Sequence, residues 1–225
     1  MSFDRLAPVY RLMERLLAGD KLQRCRLAHL AQAQHAARKA LLLGEGTGRF
    51  LIPLLQSNPH LQVTCVDASA GMIEQTRHAL KQAHADETRV QFIHADIFQW
   101  SPAETSFDLI ATHFFLDCFR ADQLDALIPK LASFTTPDAL WLLSDFNLPP
   151  TGLARLRAQL ILWAMYRFFR LVTNLPAHHL TDCTTHLQQN GFISIAHETH
   201  EWGLLRSDCW KRDSGARLSE SQQHT

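Results

Sequence analysis

Ala40-Leu41-Leu42-Leu43-Gly44-Glu45-Gly46-Thr47-Gly48-Arg49-Phe50 is the stretch that decides the fold of this chain. Four apolar residues in succession read as a strand buried on both faces, and the helical pattern from Gly48 onward makes the next element a helix. Between them three glycines alternate with Glu45 and Thr47. Glycine suits a tight strand-to-helix turn and a place where a ligand must approach the backbone with no Cβ in the way. A G-x-G pattern alone is weak, and its surroundings strengthen it. Asp67 ends the next apolar run about 20 residues on, and Asp96 follows the run after that, in Gln91-Phe92-Ile93-His94-Ala95-Asp96-Ile97.

Outward from that stretch, short apolar runs alternate with helical patterns, the signature of a parallel sheet with helices on its faces. The strands are expected at residues 40–43, 63–66, 90–93, 109–112 and 139–144, with two further runs at 192–196 and 204–210 that could close the sheet. Helices are expected at 48–55, 70–83 and 122–133. Two segments lie outside the alternation. Residues 5–37 read as one or two helices, with Leu6, Val9, Met13, Leu16 and Leu17 on one face. After Pro149-Pro150, residues 153–172 form a long apolar helix carrying Arg155, Arg157, Arg167 and Arg170, stopped by Pro176.

The 22 Lys and Arg residues balance 22 Asp and Glu, which argues against a grip on phosphate backbones and hence against a nucleic-acid partner. Five cysteines without a C-x-x-C pair suit reduced thiols in a cytoplasmic location. The opening Met1-Ser2-Phe3-Asp4-Arg5 has an acid where a secretory leader is basic, so no such leader is expected. The longest apolar stretch, around residues 160–166, is far short of the ~20 residues that span a bilayer, so no stable membrane insertion is expected.

Asp67 stands where a carboxylate accepts both hydroxyls of a ribose, and Asp96 where one accepts a hydrogen bond from an adenine amine. The bland alternative is that each caps a helix. The spacing is G-x-G-x-G, and Arg49 occupies the slot where a dinucleotide fingerprint wants a small residue. These motifs resemble those of the class I S-adenosylmethionine-dependent methyltransferases, by motif over residues 38–146 and by element order over the whole chain. The resemblance implies an α/β, three-layer Rossmann-like fold: a seven-stranded, mostly parallel sheet with an antiparallel last strand, N-terminal helices, and a helical insert between strands five and six. It implies S-adenosyl-L-methionine as cofactor, with Gly44, Gly46 and Gly48 facing its methionine half. Asp67 would hold the ribose, Ala68 and Met72 would flank the adenine, Asp96 and Ile97 would contact its edge, and Thr112 would complete the set. Leu42 fills the slot where the family usually has an acid, and Glu45 is the candidate to supply that carboxylate, a solvated loop acid being the competing reading. The opening Phe3-Asp4-Arg5-Leu6-Ala7-Pro8-Val9-Tyr10 is similar to ubiquinone/menaquinone C-methyltransferases, although the later motifs of that group are absent. The G-E-G-x-G-R-F loop and the T-H-F-F-L-D-C-F segment are also similar to those of uncharacterised bacterial methyltransferases.

Transfer from a sulfonium is an in-line displacement with a good leaving group, so catalysis is chiefly positioning and exclusion of water. A base is needed only where the acceptor must lose a proton. In Thr112-His113-Phe114-Phe115-Leu116-Asp117-Cys118-Phe119, His113 is the first candidate because imidazole titrates near neutral pH. Asp117 and Asp145 are alternatives, each also able to cap a helix or orient a loop. Phe114, Phe115, Tyr10 and Tyr166 are candidate pocket residues, and core packing is the competing reading for the two phenylalanines. The segment lacks the Asn/Asp-Pro-Pro-Tyr/Phe signature of methyltransferases that act on nucleic-acid amines. His179, Asp182, Cys183 and His186 fall on one face of a helix pattern after Pro176, but spacing alone among thirteen histidines is poor evidence, and no metal is expected. The insert helix suggests an acceptor with an apolar part or an acidic group, and is otherwise expected to bury its apolar face on the sheet. A membrane-surface role is disfavoured for it because its basic residues are outnumbered by apolar ones.

The expected organisation is one domain over residues 1–211: a helical cover at 1–37, a cofactor core at 38–146, the insert at 147–180, a closing helix and strands at 181–211, then a polar tail at 212–225. The expected activity is methyl transfer from S-adenosylmethionine to a small, partly apolar molecule. The rivals are a nicotinamide-dependent reductase on the same architecture and a cofactor-binding sensor or scaffold subunit without turnover.

Overall fold

The computed structural model describes residues 20–103, 106–173 and 180–213. Seven strands form one sheet in the order β3-β2-β1-β4-β5-β7-β6. They are β1 (Lys39–Leu43), β2 (Gln62–Asp67), β3 (Val90–His94), β4 (Phe107–His113), β5 (Thr135–Phe146), β6 (Phe192–His200) and β7 (Leu205–Arg212). The first five run parallel, and β7 lies antiparallel to both β5 and β6. Every expected strand is present, the last one antiparallel as expected.

The middles of the central strands are apolar because both sheet faces are covered there. Leu41, Leu43, Ile110 and Trp141 face α5 (Ala121–Ser133) and α7 (Thr184–Gln189), packing with Leu124, Leu127, Ile128 and Leu187. Ala40, Leu42, Leu109 and Leu142 point the other way, toward α2 (Leu30–Ala36), α3 (Leu51–Ser57) and α4 (Ala70–Gln82), with Ala33, Leu51, Leu54 and Leu80. Each buried Leu contributes roughly 1.5–3 kcal/mol of transfer free energy. A third cluster joins α1 (Asp20–Leu27) to α6 (Gly152–Thr173) through Leu22, Cys25, Ala158, Leu162 and Tyr166.

Strand register places the carboxyl ends of β1, β2, β4 and β5 side by side: Leu43 opposes Val66 and Thr112, and His113 opposes Ser144. The chain leaves β1 toward β2 but returns through β4 on the other side, so the loops after β1 and β4 flank a topological switch point, where open α/β sheets bind ligands.

Four expectations change. Helix α3 begins at Leu51, because residues 46–50 form turns before the helix starts. The helix after Pro176 begins only at Thr184, so Asp182 and Cys183 precede it and share no helix face with His186; His179 lies outside the described residues. Helix α6 turns only one narrow stripe inward, leaving Leu153, Leu156, Leu160 and Trp163 exposed. Arg212, assigned to the tail, ends β7 opposite Phe192. Tyr10 lies outside the described residues, as do the apolar residues from Leu6 to Leu17.

Candidate functional site

The glycine loop is shaped from both sides. The Gly44 N–H donates to Val66 O at 3.1 Å, and Thr76 Oγ1 on α4 donates to Gly46 O at 2.7 Å. Gly44 and Gly46 have φ of +60° and +70°, conformations that a side chain strains. Their surroundings differ. A Cβ on Gly44 would stand 2.6 Å from the Phe115 ring, whereas among the described residues one on Gly46 would meet only Met72 Cε, at 4.0 Å. Packing therefore explains Gly44. At Gly46 no described residue crowds the backbone, as a ligand cradle requires.

Glu45 turns toward the protein. Its Oε1 accepts the N–H groups of Phe50, at 2.7 Å, and Leu51, at 2.9 Å, satisfying orphan donors at the start of α3. Burial raises its carboxyl to about 7, against the lowering effect of those two bonds and of the Arg26 charge. The carboxylate expected to stand in for the acid missing at Leu42 thus already holds a helix end.

Asp67 Oδ1 accepts Ser69 N–H at 2.9 Å, and Ser69 Oγ in turn caps α4 through Met72 N–H at 3.2 Å. Asp67 therefore shapes the turn ahead of a helix that another residue caps. Ala68 is exposed, its carbonyl 3.2 Å from His94 Nε2, while Met72 is buried beside Gly46. Asp96 is exposed and takes Phe98 N–H on Oδ1 at 3.0 Å; Ile97 packs into the core. The Thr112 hydroxyl, expected at the cofactor, accepts Trp141 Nε1–H at 2.9 Å inside the core, so only its backbone stands on the sheet edge.

After β4 the chain folds tightly. Phe114 takes φ +53°, a strained conformation for a bulky residue, and its N–H donates to Ser144 O at 2.7 Å. Its ring packs edge-on against Phe146 at 5.5 Å, with the Arg26 guanidinium 5.0 Å from its centroid. His113 is buried, edge-on to Phe50 at 4.4 Å, and neither ring nitrogen has a hydrogen-bond partner among the described residues. Burial, then the Arg26 and His29 charges, depress its pKa to about 3. The sequence pointed to an imidazole titrating near neutrality. The fold holds it neutral and makes it a poor proton acceptor.

Asp117 and Asp145 come together as two buried carboxylates. Asp145 Oδ1 accepts Phe146 N–H at 2.8 Å, and the Asp117 N–H also donates toward the Asp145 carboxyl. The Cys118 thiol donates to Asp117 Oδ1 at 3.6 Å, and the Tyr166 hydroxyl on α6 donates to the Asp117 carbonyl at 3.2 Å. Burial raises both carboxyls, and for Asp145 the Asp117 charge adds to it. Burial, then the acids beside it, also keep the Cys118 thiol protonated, which makes it a poor nucleophile.

The sequence reading missed Arg26 and His29. Leu22, Cys25, Arg26 and His29 occupy one helical stripe by spacing, a signal that two basic side chains sit on an apolar face. His29 Nε2 donates to Ser207 O at 3.1 Å. The supposed metal ligands are engaged elsewhere: Asp182 pairs with Arg206 at 3.0 Å, Cys183 Sγ accepts from Arg206 at 3.1 Å, and His186 meets Asp125 at 2.9 Å. Among the described residues, no group of three or more His, Cys, Asp or Glu could hold a metal ion. No helix among them is long and apolar enough to cross a membrane.

Residues 40–138 match a methyltransferase domain family. Over 152 residues the chain is 28% identical to a demethylmenaquinone methyltransferase of Deinococcus radiodurans, covering 67% of this chain and 61% of that protein. Over 118 residues it is 33% identical to the tRNA N(3)-cytidine methyltransferase METTL2 of Mus musculus, covering 50% and 30%. The magnesium protoporphyrin IX methyltransferase of Synechocystis PCC 6803, solved with bound SAH, superposes with a TM-score of 0.62 at 20% identity over 85% of this chain and 83% of that one. That likeness is one of fold. The chain spans about three fifths of the length of the first curated relatives it matches.

Proposed function

We propose that this chain, a member of the class I S-adenosylmethionine-dependent methyltransferase family, transfers a methyl group from S-adenosyl-L-methionine to a small, partly apolar molecule. The observation that carries the reading is the bare Gly46 backbone at positive φ, with Asp67 on the neighbouring strand and Asp96 after the next one along the same edge. The residues fit the cofactor. A Cβ at Gly46 would fill the space it needs, and Asp67 would offer a carboxylate to a ribose.

When bound, S-adenosylmethionine supplies a sulfonium methyl open to in-line attack. The chain contributes placement. Gly46 forms the cradle in a turn that Gly44 and Gly48 shape, Ala68 and Met72 flank the adenine, and Asp96 meets its edge. Phe114, Phe115 and Tyr166 wall the acceptor and keep water out. His113, held neutral, offers a hydrogen bond. Asp117 is the better-placed proton acceptor, because burial brings its carboxyl closer to neutrality and Asp145 pins its backbone N–H. The neutral charge balance favours a small acceptor over a nucleic acid, and five free cysteines suit a cytoplasmic setting. We read residues 1–211 as one domain.

Calorimetry with S-adenosylhomocysteine tests the cofactor assignment: Asp67→Ala is expected to weaken binding about ten- to hundredfold, and no binding by the intact chain would sink the reading. Labelled cofactor added to cell extract with the protein, followed by mass spectrometry, tests turnover. A metabolite gaining one methyl supports it, while binding without any methylated product would favour the sensor or scaffold alternative.

A further inference from the structure

Helix α6 has two faces. Ala158, Leu162 and Tyr166 point inward at a spacing of four, onto Leu22, Cys25 and the β7 start at Leu205. Directly opposite on the helix, Leu153, Leu156, Leu160 and Trp163 are 83%, 58%, 68% and 65% exposed. From Leu153 to Trp163 this stripe runs about 15 Å. Trp202, in the turn between β6 and β7, extends it and is 76% exposed. So many large apolar side chains on one face exceed the scattered exposure of a water-facing surface.

The helix itself carries charge of one sign. Helix α6 carries four arginines and no acidic residue. The guanidinium of Arg167 lies 5.9 Å from the Trp163 ring centroid, and that of Arg157 lies 5.3 Å from the Trp202 ring centroid while donating to Glu201 O at 3.2 Å. The Glu201 carboxylate beside Trp202 is paired with Lys21. Each exposed tryptophan thus carries a cation over its ring. That arrangement suits the headgroup layer of a bilayer, where indole rings sit at the boundary and guanidinium groups meet phosphate. A protein groove would accept the leucines but would leave Arg157 and Arg167 needing acids.

We propose that the outer face of α6, with Trp202, docks in the plane of an anionic membrane surface. The helix lies on the headgroups with its leucines below them, and its inner stripe stays packed on the sheet. The basic residues that seemed too few in the sequence suffice because the fold aims the apolar side chains outward.

The test is sedimentation of the full chain with phosphatidylglycerol-containing vesicles and with pure phosphatidylcholine vesicles, read together with tryptophan emission. Binding is expected on the anionic vesicles with a blue shift, weakened about fivefold by Arg157→Gln or Arg167→Gln. Leu160→Glu is expected to weaken it about tenfold or more while leaving the melting curve unchanged, since the side chain touches water in the folded protein. Failure to bind either vesicle, equal binding to both, or unimpaired binding by Leu160→Glu overturns the proposal. So does a concentration-dependent dimer that Leu160→Glu disperses, because a second copy of the chain would then cover the face.

Discussion

The Phe115 ring lies on Gly44 so closely that a Cβ at position 44 would stand 2.6 Å from it, and Gly44 holds φ +60°. Gly44→Ala therefore meets both a conformational penalty and a clash. A loss of about 1–3 kcal/mol is expected. Phe115→Ala in the same chain should recover the clash and leave the φ penalty, a coupling readable by a double-mutant cycle in denaturant. Gly46→Ala meets the φ penalty without the clash, so it should melt later than Gly44→Ala while losing more S-adenosylhomocysteine affinity.

Glu45 provides a pH test of stability. Its folded carboxyl is raised from 4.5 to about 7. Across that window the folded state holds a proton that the unfolded chain has released, so stability falls as pH rises from 4.5 to 7. Glu45→Gln keeps an oxygen for the Phe50 and Leu51 N–H groups and removes the titration. Unfolding in denaturant at a series of pH values should give a flatter profile over that window, with the variant gaining on the parent above pH 7.

His113 acts in the opposite direction. Its folded pKa lies near 3 against 6.5 for a free imidazole, so its contribution is present above pH 6.5 and is lost as pH falls toward 3. His113→Leu should resist acid better than the parent in that range. The same depression predicts that His113→Gln keeps most of its turnover, where loss of a true general base would cost about 10²- to 10⁴-fold.

Asp117 is expected to behave as that base. Asp117→Asn should lower kcat by about 10²- to 10⁴-fold and remove the acidic limb of the pH–rate profile, with S-adenosylhomocysteine affinity retained. Tyr166→Phe removes only the hydrogen bond to the Asp117 carbonyl, which is worth roughly 0.5–1.5 kcal/mol. Its signature is a modest fall in kcat with the limb still present. A Tyr166→Phe profile without the limb would instead make the tyrosine part of the proton path.

The strands were legible because a strand buried on both faces reads as a nearly continuous apolar run, as residues 40–43 and 139–143 do. Asp67 and Asp96 were legible because their place follows from strand ends alone. Helix α6 was legible as a helix but not in its orientation, since its sequence is apolar nearly all round. Which stripe turned inward depended on meeting Leu22, Cys25 and Leu205 from elements remote in the chain.

The site divides the same way. The sequence by itself determined the seven strands, their order along the chain, the glycine turn and the acids after it, because each follows from local burial and backbone geometry. Only the tertiary structure decided what the polar groups do there. Glu45 became a helix clamp when the loop carried it back onto Phe50 and Leu51, and His113 lost its basicity when the fold buried it and brought Arg26, on α1, and His29, just beyond that helix, beside it. Asp117 and Asp145 gained theirs by being buried together. A pKa is set by solvent access and by charges in space, and neither exists until the chain has folded.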